Sequence, residues 1–394
     1  MNTTKKRLDY FDMAKGFGAI FVLLGHLQGD EFFKFSKYIL PMCEWIFSFH
    51  MPLFFIVSGM LMCHRNDIQK DTKTLILKRF KGIMIPYFWF SAFYFSVVVY
   101  ALIFGSIEAT TLYVNLWYVL GLFGMNVLWF LPALFLGESL FILIMKTSYN
   151  SKYSLKGGIS AFVKIACLAI IGHIISYRLT LINFDSFILE RVHELLLVIL
   201  RPLCTIAFIG IGYIAYNYLF SEESVVSAKL NTLFKNKFES TKKSSLFIKK
   251  TAGFLFGLAI IIIGAYFVKI NHGVDFRSMV FKNVFFYYLC SLCGSFGLIT
   301  ICKNIPKISI ISFFGVNSLI FMATHNSKTI LFYGLRLAMF ANQYLTHARG
   351  YICYAIVVFV ILLYVYVMTI LINKFAPFII GKPCPFPKKI NNNN

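Results

Sequence analysis

The chain has 394 residues, of which 59% are hydrophobic and 14% charged, and its mean hydropathy is +0.74. A soluble domain carries about 25% charged residues and about 45–50% apolar ones, so a soluble globular protein is excluded. The net charge of +22 comes from lysines and arginines scattered between apolar runs rather than gathered on one module, which speaks against a nucleic-acid partner.

The first apolar run contains Asp12 and Lys15 and lacks a small-residue cleavage site, so it reads as a retained helix, not a cleaved signal peptide. A spanning helix needs about 20 mostly apolar residues. The candidate spans are 10–28, 38–62, 82–105, 125–146, 159–177, 193–219, 251–270, 280–301, 308–335 and 351–372. The stretch 111–124 is too short to cross and reads as a re-entrant or interfacial piece.

The loops between these runs carry an orientation signal. Segments 1–9, 63–81, 147–158, 220–250, 302–307 and 373–394 hold most of the cations, including seven lysines between 229 and 250. The alternate loops hold few, among them Arg178, Arg191 and Arg277. Cytoplasmic loops are the Lys/Arg-rich ones. The expected fold is therefore an all-α integral membrane protein of about ten transmembrane helices with both termini cytoplasmic. Residues 1–9 form the N-terminus and 10–372 the membrane domain. Loop 220–250 is cytoplasmic, and so is the tail 373–394, which ends in a low-complexity asparagine run. No internal repeat is visible, so an inverted-repeat transporter gains no support.

Ionisable residues inside spans are costly and usually face a polar interior. On the first helix, Lys15 and His26 are eleven residues apart, close to three whole turns. They share a face and lie about 16 Å apart along the axis. Other candidates are Glu44 and His50 on the second span, Asn126, Trp129 and Glu138 on the fourth, and His173 on the fifth. Asn317, Ser318, His325 and Lys328 follow on the ninth, where His325 and Lys328 would share a face. His50 and His173 read more readily as structural, and Glu138 has an equally simple reading as the partner of a basic neighbour. Pro52 would interrupt the second span and free a carbonyl near His50. The nine cysteines show neither a disulfide framework nor zinc-ligand spacing, and no metal is expected.

Several blocks then match a family in order. RLDYFDMAKGFGAIFVLLGH (7–26), FSFHMPLFFIVSGML (47–61), KRFKGIMIPYFWF (78–90), LWFLPALF (128–135) and FFGVNSLIFMATH (313–325) resemble the membrane-bound acyltransferase family 3. The likeness is greatest to its branch of fucose 4-O-acetylases and related acetyltransferases, and it runs from residue 7 to about 372. The resemblance implies an O-acyltransferase that moves an acyl group from cytoplasmic acetyl-CoA, or another acyl-CoA, to a glycan or lipid-linked sugar on the outer side of a bacterial inner or plasma membrane. It makes His26 the catalytic histidine and Lys15 its basic partner; His325, an ionisable residue inside a span, is a further catalytic candidate on that ground. Its basic motif falls on Lys78, Arg79 and Lys81 as the acyl-CoA site. Lysines stand there in place of arginines, so phosphates would be met by point charges rather than bidentate forks. Trp129, Glu138, Asn317 and Ser318 are the candidate substrate-binding residues. The competing reading is a transporter or flippase for a polar or lipid-linked sugar, since titratable groups at mid-membrane serve proton coupling as well.

Overall fold

The structure is a computed structural model that describes residues 7–27, 39–148, 155–184, 186–221, 242–342 and 349–383. The basic stretch 222–241, the asparagine tail and the side chain of Lys328 therefore lie outside the described residues. Secondary structure among the described residues is helical, apart from one isolated bridge between Asp275 and Val280.

In chain order the helices are α1 (Asp9–His26), α2 (Ile39–His64), α3 (Thr72–Arg79), α4 (Ile85–Ile103), α5 (Ala109–Leu120), α6 (Phe130–Ser148) and α7 (Leu155–Leu179). There follow α8 (Phe187–Ala215), α9 (Lys242–Val268), α10 (Val284–Asn304), α11 (Ser309–Val316), α12 (Ser318–Thr324), α13 (Lys328–Asn342) and α14 (Arg349–Phe375). Eight helical stretches are long and apolar enough to cross a membrane: Pro41–His64, Thr72–Ile103, Asn126–Ser148, Gly157–Leu179, Phe187–Phe220, Leu246–Val268, Val284–Asn304 and Ile352–Phe375. Helix α1 is also continuous, with Asp9, Asp12 and Lys15 in its first two turns. The short helix α5 has 12 residues, too few to span, in keeping with its reading as an interfacial piece.

The ninth expected span is not one helix. It breaks at Asn317 and again over 325–327, giving α11, α12 and α13. Asn and Ser side chains compete with helical hydrogen bonds, and Asn317 does so here: its amide donates to Phe313 O at 2.9 Å and accepts from Asn373 of α14 at 2.9 Å. His325 and Lys328 consequently do not share one helical face.

Pro52 was expected to interrupt α2, yet the helix runs unbroken from Ile39 to His64. A proline takes away the hydrogen bond to the carbonyl four residues earlier, here that of Ser48. Ser291 Oγ of α10 donates to that carbonyl at 2.7 Å. The proline therefore supplies a docking point for α10.

Burial sorts the helices. In α2, 78% of the membrane-length window is buried inside the protein, against 17% in α9, so α2 is central and α9 peripheral, its Phe256 and Ile262 facing outward. Helix α2 packs on α1, α8 and α10. Two crossings bring backbones together with no side chain between. A Cβ on Gly315 of α11 would lie 1.6 Å from Asp12 O, and one on Gly16 would lie 2.0 Å from Ile311 O. The α2–α8 crossing repeats this with Gly59 against Ile209 O and Gly212 against Ile56 O. Small residues permit such close approach of membrane helices. Gly315→Ala is expected to force α1 and α11 apart, at about 1–3 kcal/mol or more for overpacking. The measurement is the yield of monodisperse protein on size exclusion in detergent; an unchanged yield and unfolding midpoint would refute this close approach.

Candidate functional site

Helix α1 joins two polar ends of the bundle. At its start, Asp12 accepts Arg7 Nε at 2.5 Å and pairs with Lys15 Nζ at 3.1 Å, and Lys307 Nζ reaches Asp9 at 2.8 Å. The side chain of Asp12 is 6% exposed and that of Lys15 is 20% exposed, so the pair sits inside the mouth of the bundle rather than on its surface. Carboxylates in a first helical turn also meet the positive end of the helix dipole. Eleven unbroken helical residues then carry the same face to His26, about 16 Å away.

The basic motif divides by direction. Arg79 turns inward, its guanidinium 2.8 Å from Asp67 Oδ2 and 3.1 Å from Glu138 Oε2, with both carboxylates nearly fully buried. Ser58 donates to Glu138, and Lys70 to Asp67. Lys78 and Lys81 are three residues apart, exposed, and form no ion pair among the described residues. A π turn over Phe80–Met84 links α3 to α4 just after Arg79 and shifts the register at this point, a feature frequent near functional sites.

At the opposite end of α1, the His26 ring lies 5.4 Å from that of His325 and 6.0 Å, edge-on, from Phe47. Phe47 also stacks edge-on against His50 at 5.2 Å. His26 is exposed, whereas His50 and His325 are 5% and 2% exposed. Nδ1 of His50 sits 2.9 Å from Ile46 O, and Nδ1 of His325 sits 3.1 Å from Phe321 O. A carbonyl can only accept, so both rings carry their proton on Nδ1 and leave Nε2 as an acceptor. His325 Nε2 is buried and has no hydrogen-bond partner among the described residues. A reachable imidazole thus stands beside a fixed one with a free lone pair.

The surrounding wall comes from distant segments. Asn326 donates to Asn126 Oδ1 at 2.8 Å, joining the segment after His325 to the 3-10 turn Asn126–Trp129. Trp129 stacks on Phe276, with 6.0 Å between centroids and 19° between planes. Buried Arg201 of α8 reaches across, donating to Phe123 O at 3.1 Å and to Arg277 O at 2.9 Å. Its guanidinium lies over Phe123 and Trp129. The Arg277 carbonyl that accepts from Arg201 lies on the bridged turn before α10, where Arg277 N–H donates to Asp275 Oδ1 at 2.8 Å.

The structure therefore brings His26 and His325 together and places Trp129 in the wall at the same end. It holds Lys15, Lys78, Arg79 and Lys81 at the other end. Glu138 belongs with Arg79 and not with Trp129, which is nine residues earlier and about 13 Å back along the helix. Asn317 is occupied by Phe313 O and Asn373, and Ser318 is half-buried at the start of α12. Arg201 and the Asp275–Arg277 turn are additions that sequence reasoning missed. Arg201 was open to the rule that selected His26, a charge within an apolar span; its two carbonyl partners were not. No group of three or more potential ligands placed to hold a metal occurs among the described residues.

A family model described as an acyltransferase domain matches residues 8–372. No curated protein and no solved structure matches the chain.

Proposed function

The chain belongs to the acyltransferase 3 family, and from that premise we propose a specific reaction for it. It is a multi-pass membrane acyltransferase. The proposed reaction moves an acetyl or other short acyl group from cytoplasmic acyl-CoA to a hydroxyl of a cell-surface or lipid-linked glycan. The membrane would be a bacterial inner or plasma membrane. The topology would be ten crossings with cytoplasmic termini, counting the eight long helices, α1, and the broken run α11–α13.

One observation carries the reading: a single face of α1 links a cationic mouth to an exposed histidine. Lys78 and Lys81 are exposed, free of ion pairs among the described residues and three positions apart, which suits the phosphates of coenzyme A. Arg79 would act as their support, since two buried carboxylates already hold it. Lys15 would line the passage, steadied by Asp12.

At the far end His26 would take the proton of the acceptor hydroxyl as its oxygen attacks the thioester carbonyl. The new bond is the ester C–O bond, the bond broken is C–S, and the proton passes from His26 to the departing thiolate. His325 would serve through its unpartnered Nε2, accepting a hydrogen bond from a second hydroxyl of the acceptor sugar, next to the one whose proton His26 takes. Trp129 would form part of the acceptor wall, and Asn317 and Ser318 would lie along the passage where α11 meets α12. Glu138 would contribute indirectly, by holding Arg79.

Purified protein is expected to release coenzyme A from acetyl-CoA when an envelope glycan is present. Lys78→Gln with Lys81→Gln is expected to raise KM for acyl-CoA about 10-fold or more while kcat stays near native. Charge-assisted bonds to the donor phosphates are the same in ground and transition states, so their removal shows in KM. A fall in kcat at unchanged KM would remove these lysines from the donor site.

A further inference from the structure

A second site lies away from α1. A groove of about 1270 Å³ runs between α7 and α8 and closes at one end on the chain before α10. Its lining extends along α7 from Gly158 to Thr180, about 33 Å of helix, which matches the roughly 30 Å hydrocarbon thickness of a bilayer. The floor is made of small side chains such as Ala161, Ala166 and Ala169.

Arg178 and Lys282 stand at one end and, among the described residues, are the only charged ones in the lining. Both are exposed, and Lys282 Nζ lies 2.7 Å from His272, so among the described residues no carboxylate offsets either charge there. Loops at this end of the bundle are otherwise poor in cations on the proposed topology, so two together at a groove mouth mark a negative ligand. Five residues below Arg178, about 7 Å along the helix, is His173, 8% exposed. Its Nε2 is 3.1 Å from Tyr288 Oη, while its Nδ1 is buried with no partner among the described residues. In the tautomer in which Nε2 accepts from the phenol, Nδ1 carries the proton and is a donor left unmet in an apolar wall, a costly arrangement.

We propose that this groove holds an anionic phospholipid of the surrounding bilayer. Its phosphate lies between Arg178 and Lys282, an ester carbonyl accepts from His173 Nδ1, and an acyl chain follows the alanine floor. The fit is one of charge, depth and polarity together: cations at headgroup level, one donor at ester level, hydrocarbon below. Ser176 Oγ, beside the groove, donates to Met279 O at 2.6 Å. That bond ties the groove wall to the bridged turn Asp275–Val280.

The test uses the full chain in nanodiscs of phosphatidylcholine with or without phosphatidylglycerol, and counts retained lipid by native mass spectrometry. This readout does not depend on acyl transfer, so it stands or falls separately from the proposed reaction. Phosphatidylglycerol is expected to be retained in preference to phosphatidylcholine. Arg178→Gln with Lys282→Gln is expected to weaken retention roughly 30-fold, from about 1 kcal/mol per interfacial cation. Ala166→Trp, at a half-buried lining position where the indole would fill the groove, is expected to abolish retention of the lipid. Equal retention of both lipids would overturn the proposal. So would retention unchanged in the charge variant, or a dimer that Ala166→Trp dissociates.

Discussion

Replacing His26 with alanine is expected to lower acyl transfer by about 10²–10⁴-fold, the usual contribution of a general base, without loss of folded protein. His26 is exposed at the end of α1 and, among the described residues, its ring meets only Phe47 and His325. Removing it leaves no buried partner unsatisfied, so stability should be nearly unchanged. KM for acyl-CoA should also hold, because the lysines of the donor site are at the other end of the helix. The measurement is single-turnover transfer from labelled acetyl-CoA, with unfolding monitored in parallel. His325→Ala should cost less, since it removes a neighbour of the base and not the base itself. If His325→Ala is inert and His26→Ala retains native turnover, proton transfer lies elsewhere.

Arg79→Met is expected to fail in a different way. It leaves Asp67 and Glu138 buried, with side chains 4% and 3% exposed, and without their shared cation. Breaking a buried pair by removing one partner costs about 3–5 kcal/mol. The loss should appear as a lowered unfolding midpoint in detergent, before any kinetic effect is considered. Adding Glu138→Gln to Arg79→Met should recover part of it, because an amide has no charge to strand. Arg79→Lys should recover less than a native arginine, since one ammonium cannot reach two carboxylates in a fork. A stable Arg79→Met protein with a raised KM for acyl-CoA would instead make Arg79 a phosphate ligand, equal in role to Lys78 and Lys81.

Much of this architecture was legible in the chain, for identifiable reasons. Hydropathy marks a long lipid-facing helix directly, so eight of the expected spans reappear as helices of spanning length. The α1 face was legible because an eleven-residue spacing returns to the same side of a helix whatever surrounds it. The break at Asn317 was not, because one asparagine in FFGVNSLIF barely lowers the hydropathy of the run. The side chain at the break is held by a hydrogen bond from Asn373, 56 residues away. The consequence of Pro52 was half legible: the freed carbonyl follows from covalent structure, whereas its capture by Ser291 needs α10 in place. The same holds for the basic motif. Helical spacing puts Lys78 and Lys81 on one side and Arg79 on another, but only the fold shows that the inward side meets Asp67 and Glu138. His26 and His325 are 299 residues apart in sequence and have adjacent rings, a proximity that neither span implied alone.

The central claim is that one polar path carries an acyl group between the two ends of α1, from the side of Lys78 and Lys81 to the side of His26. Sidedness in proteoliposomes tests it most directly. Protein of known orientation is reconstituted with labelled acetyl-CoA on the lysine side alone and the glycan acceptor on the histidine side alone. Labelled glycan should form in that arrangement and should disappear with His26→Ala. Product that forms only when donor and acceptor share one side would contradict a path through the bundle.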